Sequence, residues 1–428
     1  MRILLASSHG IGAWFLLRLM REGHQCDWFL LTSPPRQAER RILRGLIPAP
    51  LDAPPTDFSQ YDLVIFDSTG HGEFAEEVRK QTPVIGDGEL AARLEDDRLF
   101  GIQVMEQCGI EVPKYQTFES PDDARKWIED NPKRYVYKPF TPEGQEQDCD
   151  VTYVSESAED LIQCLDHLFE DSMHAPFLLQ EVVEGEEVAT EGWFDGFQFH
   201  FPNHTLEEKK FMSGGYGPNT GSAGCLMWAT NGPSRLFTHS LGRMAEFLSE
   251  HQYRGMIDIN TIVNQQHVWG LEFTPRFGYD SSATVFSLIK SNFGEFCHSV
   301  ITQDGTMEIP LSLRAGWAGS VRYSIPPYPE EVAGRHPRDL PIKGVELDDA
   351  WLNWFLYDAM LNGEGLVTAG INGLIGCPIA CGHTPEGAWK GIDEMQKKIH
   401  IPDGQARCDM KDRTLKRLQG LRDMGWVG

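Results

Sequence analysis

Two short apolar segments each carry one carboxylate. Gly255-Met-Ile-Asp-Ile-Asn260 and Trp269-Gly-Leu-Glu-Phe-Thr-Pro-Arg-Phe-Gly278 read as strands, with Asp258 and Glu272 fourteen residues apart. The polar stretch Asn264-Gln-Gln-His267 between them reads as the turn of an antiparallel pair. Side chains alternate across a strand, so both acids can point to one face. Two convergent carboxylates among apolar neighbours repel each other and lose hydration unless a cation joins them. Mg²⁺ (or Mn²⁺), held by one or two carboxylates and by nucleotide phosphates, meets that need. Unrelated, solvated strand ends would have no such need. Arg276 follows Glu272 by four residues. Beside a metal it could stabilise charge on a transferring phosphoryl group, or it could simply pair with one of the many acids.

Three further segments suit a nucleotide. Lys138 ends the strand Tyr135-Val-Tyr-Lys138, where a lysine on a rigid element can act as a point charge for phosphate; an exposed edge lysine would look the same. Gln180-Glu-Val-Val-Glu-Gly-Glu-Glu-Val188 runs from an apolar strand through an acidic turn into another strand. Such a segment can offer backbone groups to an adenine edge and a carboxylate to ribose hydroxyls, and it can equally be a solvated acidic hairpin. Lys209-Lys210-Phe-Met-Ser-Gly-Gly-Tyr-Gly-Pro-Asn-Thr-Gly221 places paired lysines before a glycine-rich loop. Glycines let backbone amides approach phosphates closely. A flexible surface loop is the plain alternative, although Gly217-Pro-Asn-Thr-Gly221 is particular for a linker.

These segments need a scaffold. Residues 1–92 alternate strand and helix, which implies a small parallel sheet. Its strands are Arg2–Ala6, Asp27–Leu31, Asp62–Phe66 and Pro83–Gly86, with a helix over Ala13–Glu22. The Gly10-x-Gly12 turn could meet a phosphate at a helix N-terminus or be a tight strand-to-helix turn. Helices are expected over Arg93–Cys108, Ser234–Gln252, Ser282–Ile301 and Thr384–Ile399. The segment 119–190 reads as a compact α/β unit. The expected organisation is α/β and α+β multidomain: an N-terminal Rossmann-like domain over 1–92, a central domain over 93–310 containing a 119–190 lid, and a C-terminal α+β domain over 311–428.

Composition bounds the function. The formal charge is −25, from 63 acidic against 38 basic residues, which argues against stable nucleic-acid binding because duplex affinity rests on phosphate neutralisation. No run approaches the ~18 apolar residues of a membrane span, and the N-terminus shows no cleavable signal pattern. The nine scattered cysteines point to reduced thiols in a cytoplasmic compartment. Cys377 and Cys381 with His383 nearby read as packed thiols rather than a zinc site, which would need a fourth ligand. A monomer or homodimer acting on small molecules is expected.

In this order the segments resemble the ATP-grasp superfamily of carboxylate–amine ligases, and within it the phosphoribosylamine–glycine ligase (glycinamide ribonucleotide synthetase) family. The resemblance spans almost the whole chain and implies an ATP-grasp fold with an N-terminal pre-ATP-grasp domain. It implies that Arg98 and Lys138 contact ATP phosphates, that Glu181 and Val183 hold the base, and that Glu187 holds the sugar. Lys209 and Lys210 with Gly217, Asn219 and Thr220 match the glycine-rich loop. Glu272, Thr274 and Arg276 match the metal-and-arginine strand, with Asp258 or Asn260 supporting the metal. The implied cofactors are ATP and Mg²⁺ (or Mn²⁺).

The departures concern the substrates. Ser7-Ser-His-Gly-Ile11 stands where the family has an arginine-containing loop for phosphoribosylamine, and Asp67-Ser-Thr-Gly-His71 replaces a Gly-Pro-Glu loop. Ser213 to Tyr216 replace acids before the glycine loop, Tyr279-Asp280-Ser281 replaces Asp-Pro-Glu, and Thr274 stands for a metal-binding asparagine. The expectation is therefore an ATP-dependent ligase forming an amide through an acyl phosphate. It would join an amino acid to an amine other than phosphoribosylamine, with Tyr216 and Tyr279 lining a pocket for a larger acceptor. The alternatives are the purine-pathway ligase itself and a non-catalytic ATP-binding protein, the latter suggested by Thr274.

Overall fold

A computed structural model describes residues 1–32, 38–140, 152–171, 176–230, 232–277, 280–330 and 336–427. The first ninety residues form a four-stranded parallel sheet. Arg2–Ser7 pairs with Gln25–Leu30 on one side and Leu63–Phe66 on the other, and Val84–Ile85 follows. Its strands are apolar and buried on both faces, as parallel strands covered by helices must be. The helix Trp14–Arg21 packs through Trp14 and Phe15 onto Phe286, with ring centroids 5.7 and 5.1 Å apart. Trp193 joins the same cluster, 4.9 Å from Phe296. Buried Arg18 donates to the Ile289 carbonyl at 2.8 Å and the Ser291 carbonyl at 3.1 Å, and pairs with Glu22 at 2.8 Å. This apolar cluster and its one satisfied cation fix the N-terminal sheet against the rest of the chain.

The centre is a ten-stranded sheet. Its first four neighbours are Val268–Thr274, Gly255–Val263, Glu186–Phe194 and Phe199–Glu207, all antiparallel. It continues through Gly224–Ala229, Trp317–Val321 and Leu374–Gly382, so strands on both sides of residue 310 share one sheet. A separate four-stranded sheet, ordered Tyr115–Phe118, Phe177–Glu181, Tyr135–Pro139 and Tyr153–Val154, covers one edge of the cleft. Lys210–Met212 and Tyr216–Asn219 form a two-stranded hairpin bonded to Arg407, Cys408 and Asp409 of the C-terminal segment.

Three expected helices are broken. Ser234–Gln252 divides at Ser240, whose backbone leaves the helical region, into Arg235–His239, a 3₁₀ turn over Leu241–Met244, and Ala245–Glu250. The other two break for a shared reason. The helix expected over 93–108 is instead Glu89–Asp96 and Arg98–Gln107, because Asp97 leaves the helical region and caps the second helix, accepting from Phe100 N at 2.9 Å. Asn292 does the same for Glu295 N at 3.0 Å, separating Asp280–Leu288 from Phe293–Thr302. The break at Asp97 matters for the site, since it puts Arg98 at a helix start facing the cleft. Among the described residues no helix is long and apolar enough to cross a membrane.

Candidate active site

The face of the central sheet that carries Asp258 and Glu272 floors a cavity of about 390 Å³. Register decides which groups meet. Asn260 lies opposite Glu272, and Asp258 lies opposite Thr274, so the two acids are diagonal neighbours on one face. The Asn260 amide donates to Glu272 Oε1 at 3.3 Å. Arg98, Lys209, Asn219, Asp258, Glu272, Thr274 and Arg276 all line this cavity. Lys138, Arg98 and Glu272 line a smaller adjoining one.

Charge is concentrated at one end. Lys209 Nζ stands 2.7 Å from Glu187 Oε1 and 3.7 Å from Glu272 Oε1. Burial alone would lower the Lys209 pKa, but Glu187 and Glu272 outweigh it and hold the ammonium above its ordinary range. Lys138 is buried, with no carboxylate so close among the described residues. Lost hydration lowers its pKa, Glu272 and Glu187 oppose that, and Arg98 and Lys209 reinforce it. Burial would raise Glu272, but Lys209, Lys138 and Arg98 pull its carboxyl below the usual range. Asp258 is the reverse case: burial, then Glu191 and Glu207, push its carboxyl well up. The site thus has a cationic end able to take phosphates, and an acidic floor short of cations.

Several expected residues fall elsewhere. Lys210 is exposed, because successive side chains point apart, and its carbonyl accepts from Arg407 Nη1 at 2.8 Å. Glu181 points away from the cavity to Lys133, at 2.8 Å. Val183 and Gly217 are absent from the cavity lining. Thr220 shapes the loop instead of facing a ligand: its hydroxyl bonds the carbonyls of Lys209 at 3.2 Å and Ser222 at 3.3 Å. Tyr216 is 73% exposed on the hairpin and is not among the residues lining this cavity. Tyr279 lies outside the described residues. The Gly10–Gly12 turn is a tight strand-to-helix turn. Gly12 N–H donates to buried Asp67 at 2.8 Å, and a Cβ on Gly12 would sit 2.7 Å from that carboxylate. Arg276 is bound to Glu95, with Nε at 2.9 Å and Nη2 at 2.8 Å, and Thr69 Oγ1 donates to the other Glu95 oxygen at 3.0 Å. That chain ties the N-terminal sheet's loop to the cavity.

Two residues at or bracing the cavity went unread in the sequence. Glu191 lines the cavity from the Glu186–Phe194 strand, directly across from Asp258; burial raises its carboxyl to about 7, against bonds from Asn203 and Trp193. Arg417, on the helix Met410–Asp423, reaches across 230 residues to donate to the Glu187 carbonyl. It also holds Glu186 Oε2 at 3.3 Å, the Glu207 carbonyl at 2.6 Å and Glu208 Oε1 at 3.0 Å. One guanidinium therefore joins the turn before Glu187 to the strand that delivers Lys209. Among the described residues no three His, Cys, Asp or Glu side chains converge as a metal-binding group.

A family profile described as the phosphoribosylglycinamide synthetase ATP-grasp (A) domain matches residues 96–282. The whole chain superposes on the crystal structure of phosphoribosylamine–glycine ligase from Thermotoga maritima with TM-score 0.72 and 20% identity, covering 96% of this chain and 100% of that one. The chain has an ATP-grasp fold and resembles phosphoribosylamine–glycine ligase. The ATP-grasp architecture also superposes on biotin carboxylase from Campylobacter jejuni, with TM-score 0.66 and 12% identity, covering 99% and 96% of the two chains. In sequence, the ATP-grasp chain is 25% identical over 295 residues to phosphoribosylamine–glycine ligase of Methanocella arvoryzae, covering 65% of this chain and 64% of that protein. It is 25% identical over 344 residues to the Thermotoga maritima enzyme, covering 76% and 80%. The match spans 51% of the Streptococcus suis enzyme, at 26% identity and 49% of this chain.

Proposed function

We propose that this protein is an ATP-dependent carboxylate–amine ligase that forms an amide through an acyl phosphate. One observation carries the reading: Arg98, Lys209 and Glu272, from three separate segments, line one cavity, with Lys209 3.7 Å from Glu272, and Lys138 joins Arg98 and Glu272 in the adjoining one. In this reading Arg98, Lys138 and Lys209 bind ATP phosphates. The 181–183 backbone flanks the base, Glu187 faces the ribose, and Asn219, on a loop shaped by Gly217 and Thr220, closes over the phosphates.

The donor set at the sheet face fits a hard divalent cation. Asp258 and Glu272 offer carboxylate oxygens and Asn260 an amide, while Thr274 stands opposite Asp258 with a weaker hydroxyl. Bound Mg²⁺ or Mn²⁺ would neutralise charge building on the phosphates. The substrate carboxylate attacks the γ-phosphorus, ADP departs, and an acyl phosphate forms. The amine then displaces inorganic phosphate, which carries away the carboxylate oxygen. The protein's part is positioning and charge neutralisation, which is most of what phosphoryl transfer requires. Arg276 would stabilise the developing charge, with Glu95 orienting it.

The carboxylate is proposed to belong to an amino acid and the amine to be other than phosphoribosylamine. The first strand-to-helix turn favours this, since its Gly12 amide is already bonded by Asp67 and no arginine stands in Ser7–Gly12. The relatives favour the second reading, phosphoribosylamine–glycine ligase itself. Phosphate release measured against crossed panels of carboxylates and amines, with glycine and freshly made phosphoribosylamine included, tests both. A kcat/KM of ~10⁴ M⁻¹s⁻¹ or more for that pair would establish the second reading.

A further inference from the structure

A row of four side chains runs from the cavity floor into the sheet, its first three lining the cavity. Thr274, Asp258, Glu191 and Asn203 stand opposite one another on four adjacent strands. Glu191 is only 6% exposed. Asn203 Nδ2 at 3.1 Å and Trp193 Nε1 at 3.2 Å both donate to its Oε1. No other described residue bonds it, so Oε2 is left to the cavity that Glu191 lines. Asp258 accepts no hydrogen bond from any described residue. Two neighbouring carboxylates, one nearly enclosed and aimed by an indole and an amide, are thus short of a cation. The nearest protein cations are engaged: Lys209 with Glu187 and Glu272, Arg276 with Glu95.

We propose that Glu191, next to the Asp258 that faces the metal, binds the ammonium group of the amine substrate; this rests on the ligase reading above. Three considerations select an ammonium over a second metal ion. Glu191 lies one strand beyond Asp258 and two residues along the strands from Asn260 and Glu272, about 7 Å along at ~3.3 Å per residue, so phosphate oxygens at the cationic end would not complete a metal shell at Glu191. Mg²⁺ demands near-octahedral oxygen ligation, and no third His, Cys, Asp or Glu among the described residues converges here. An ammonium needs two or three acceptors, and charge-assisted bonds to fixed carboxylates are the strong kind. The row also faces the Thr69–Glu95–Arg276 chain from the N-terminal sheet, where a second substrate could enter. It supplies the carboxylates missing from Ser213 to Tyr216.

The test titrates wild type and Glu191→Gln, each with ADP and Mg²⁺ present. The probes are glycine, L-lysine and 1,4-diaminobutane, with 1,4-butanediol as the ammonium-free control. Calorimetry and thermal unfolding report binding. At least one amine should bind wild type while the diol does not, and Glu191→Gln should weaken it about tenfold or more while ADP and Mg²⁺ affinities stay unchanged. Glu191→Asp, which withdraws the carboxylate by one methylene, should show a comparable loss and serves if the glutamine variant fails to fold. Absence of amine binding in wild type, equal binding in wild type and the variants, or loss of Mg²⁺ in place of amine would overturn the inference. Failure of ADP to bind wild type would overturn the ligase reading and this inference with it.

Discussion

Lys209 Nζ lies 2.7 Å from Glu187 Oε1, so the residue entering the glycine-rich loop is clasped to the residue leaving the acidic turn. Bound nucleotide would replace a contact the protein already makes: phosphate would compete with Glu187 for Lys209, freeing the carboxylate for the ribose. Removing Glu187 therefore has two opposing effects, one on the sugar and one on the lysine. Glu187→Ala should weaken ATP, and Glu187→Gln, which keeps a ribose acceptor but frees Lys209, should weaken it less. Calorimetric titration with ADP and Mg²⁺ measures the order, and equal affinity in all three proteins would remove Glu187 from the site.

Lys138 is buried with its ammonium depressed by lost hydration, an arrangement that phosphate would relieve. Lys138→Ala should raise the KM for ATP about tenfold or more, by loss of one charge-assisted contact. An unchanged KM would assign Lys138 to structure alone.

Glu272→Gln should lower kcat by more than the about 10–100-fold typical of outer-shell metal partners, with thermal stability retained. The Asn260 and Lys209 contacts can persist to an amide oxygen, so the fold survives while divalent-ion affinity falls. Wild-type turnover in this variant, over a full Mg²⁺ titration, would remove the metal assignment.

Arg417 joins the Glu186–Glu187 turn to Glu207 and Glu208. Arg417→Met should weaken ATP with little change in the amine KM, because it loosens the turn and the Lys209 strand together. Arg417→Lys should not restore affinity, since a point charge cannot make four divergent contacts. Full rescue by lysine would mean that only the charge matters.

His204 supplies a pH test independent of the site. It is buried between Thr190 Oγ1 at 3.0 Å and Ser234 Oγ at 2.7 Å, and burial lowers its pKa from 6.5 to about 3. Below pH 6.5 the unfolded chain takes up the proton first, so stability falls as pH drops through that window. The melting temperature should decline more steeply from pH 6.5 towards 4 in wild type than in His204→Gln. Parallel declines would show that His204 stays neutral in both states or charges in both.

The convergence of Asp258, Glu272, Lys138 and Lys209 was legible because residue type and strand alternation suffice to aim them. Lys210, Gly217 and Thr220 were not separable from Lys209 and Asn219 in the sequence, since which residue of a loop faces inward is set by contacts such as Thr220 to Lys209. The break at Asp97 was available as an N-cap signal inside Glu95-Asp-Asp-Arg98, but the apolar spacing on either side read through it. Glu191 carried a weaker signal, the one acid in Val188–Phe194, the buried part of the strand Glu186–Phe194. Its meaning depends on the pairing with Asp258, which no local pattern reveals. Arg417 sits on a polar helix whose partner segment is more than 200 residues away.

The acyl phosphate is tested most directly by isotope transfer. With an active pair from the substrate panel, the carboxylate is labelled with ¹⁸O and the released phosphate is weighed by mass spectrometry. One labelled oxygen in phosphate for each amide formed, with ADP as the nucleotide product, is the predicted result. Label appearing in AMP, or amide formed with unlabelled phosphate, would contradict it.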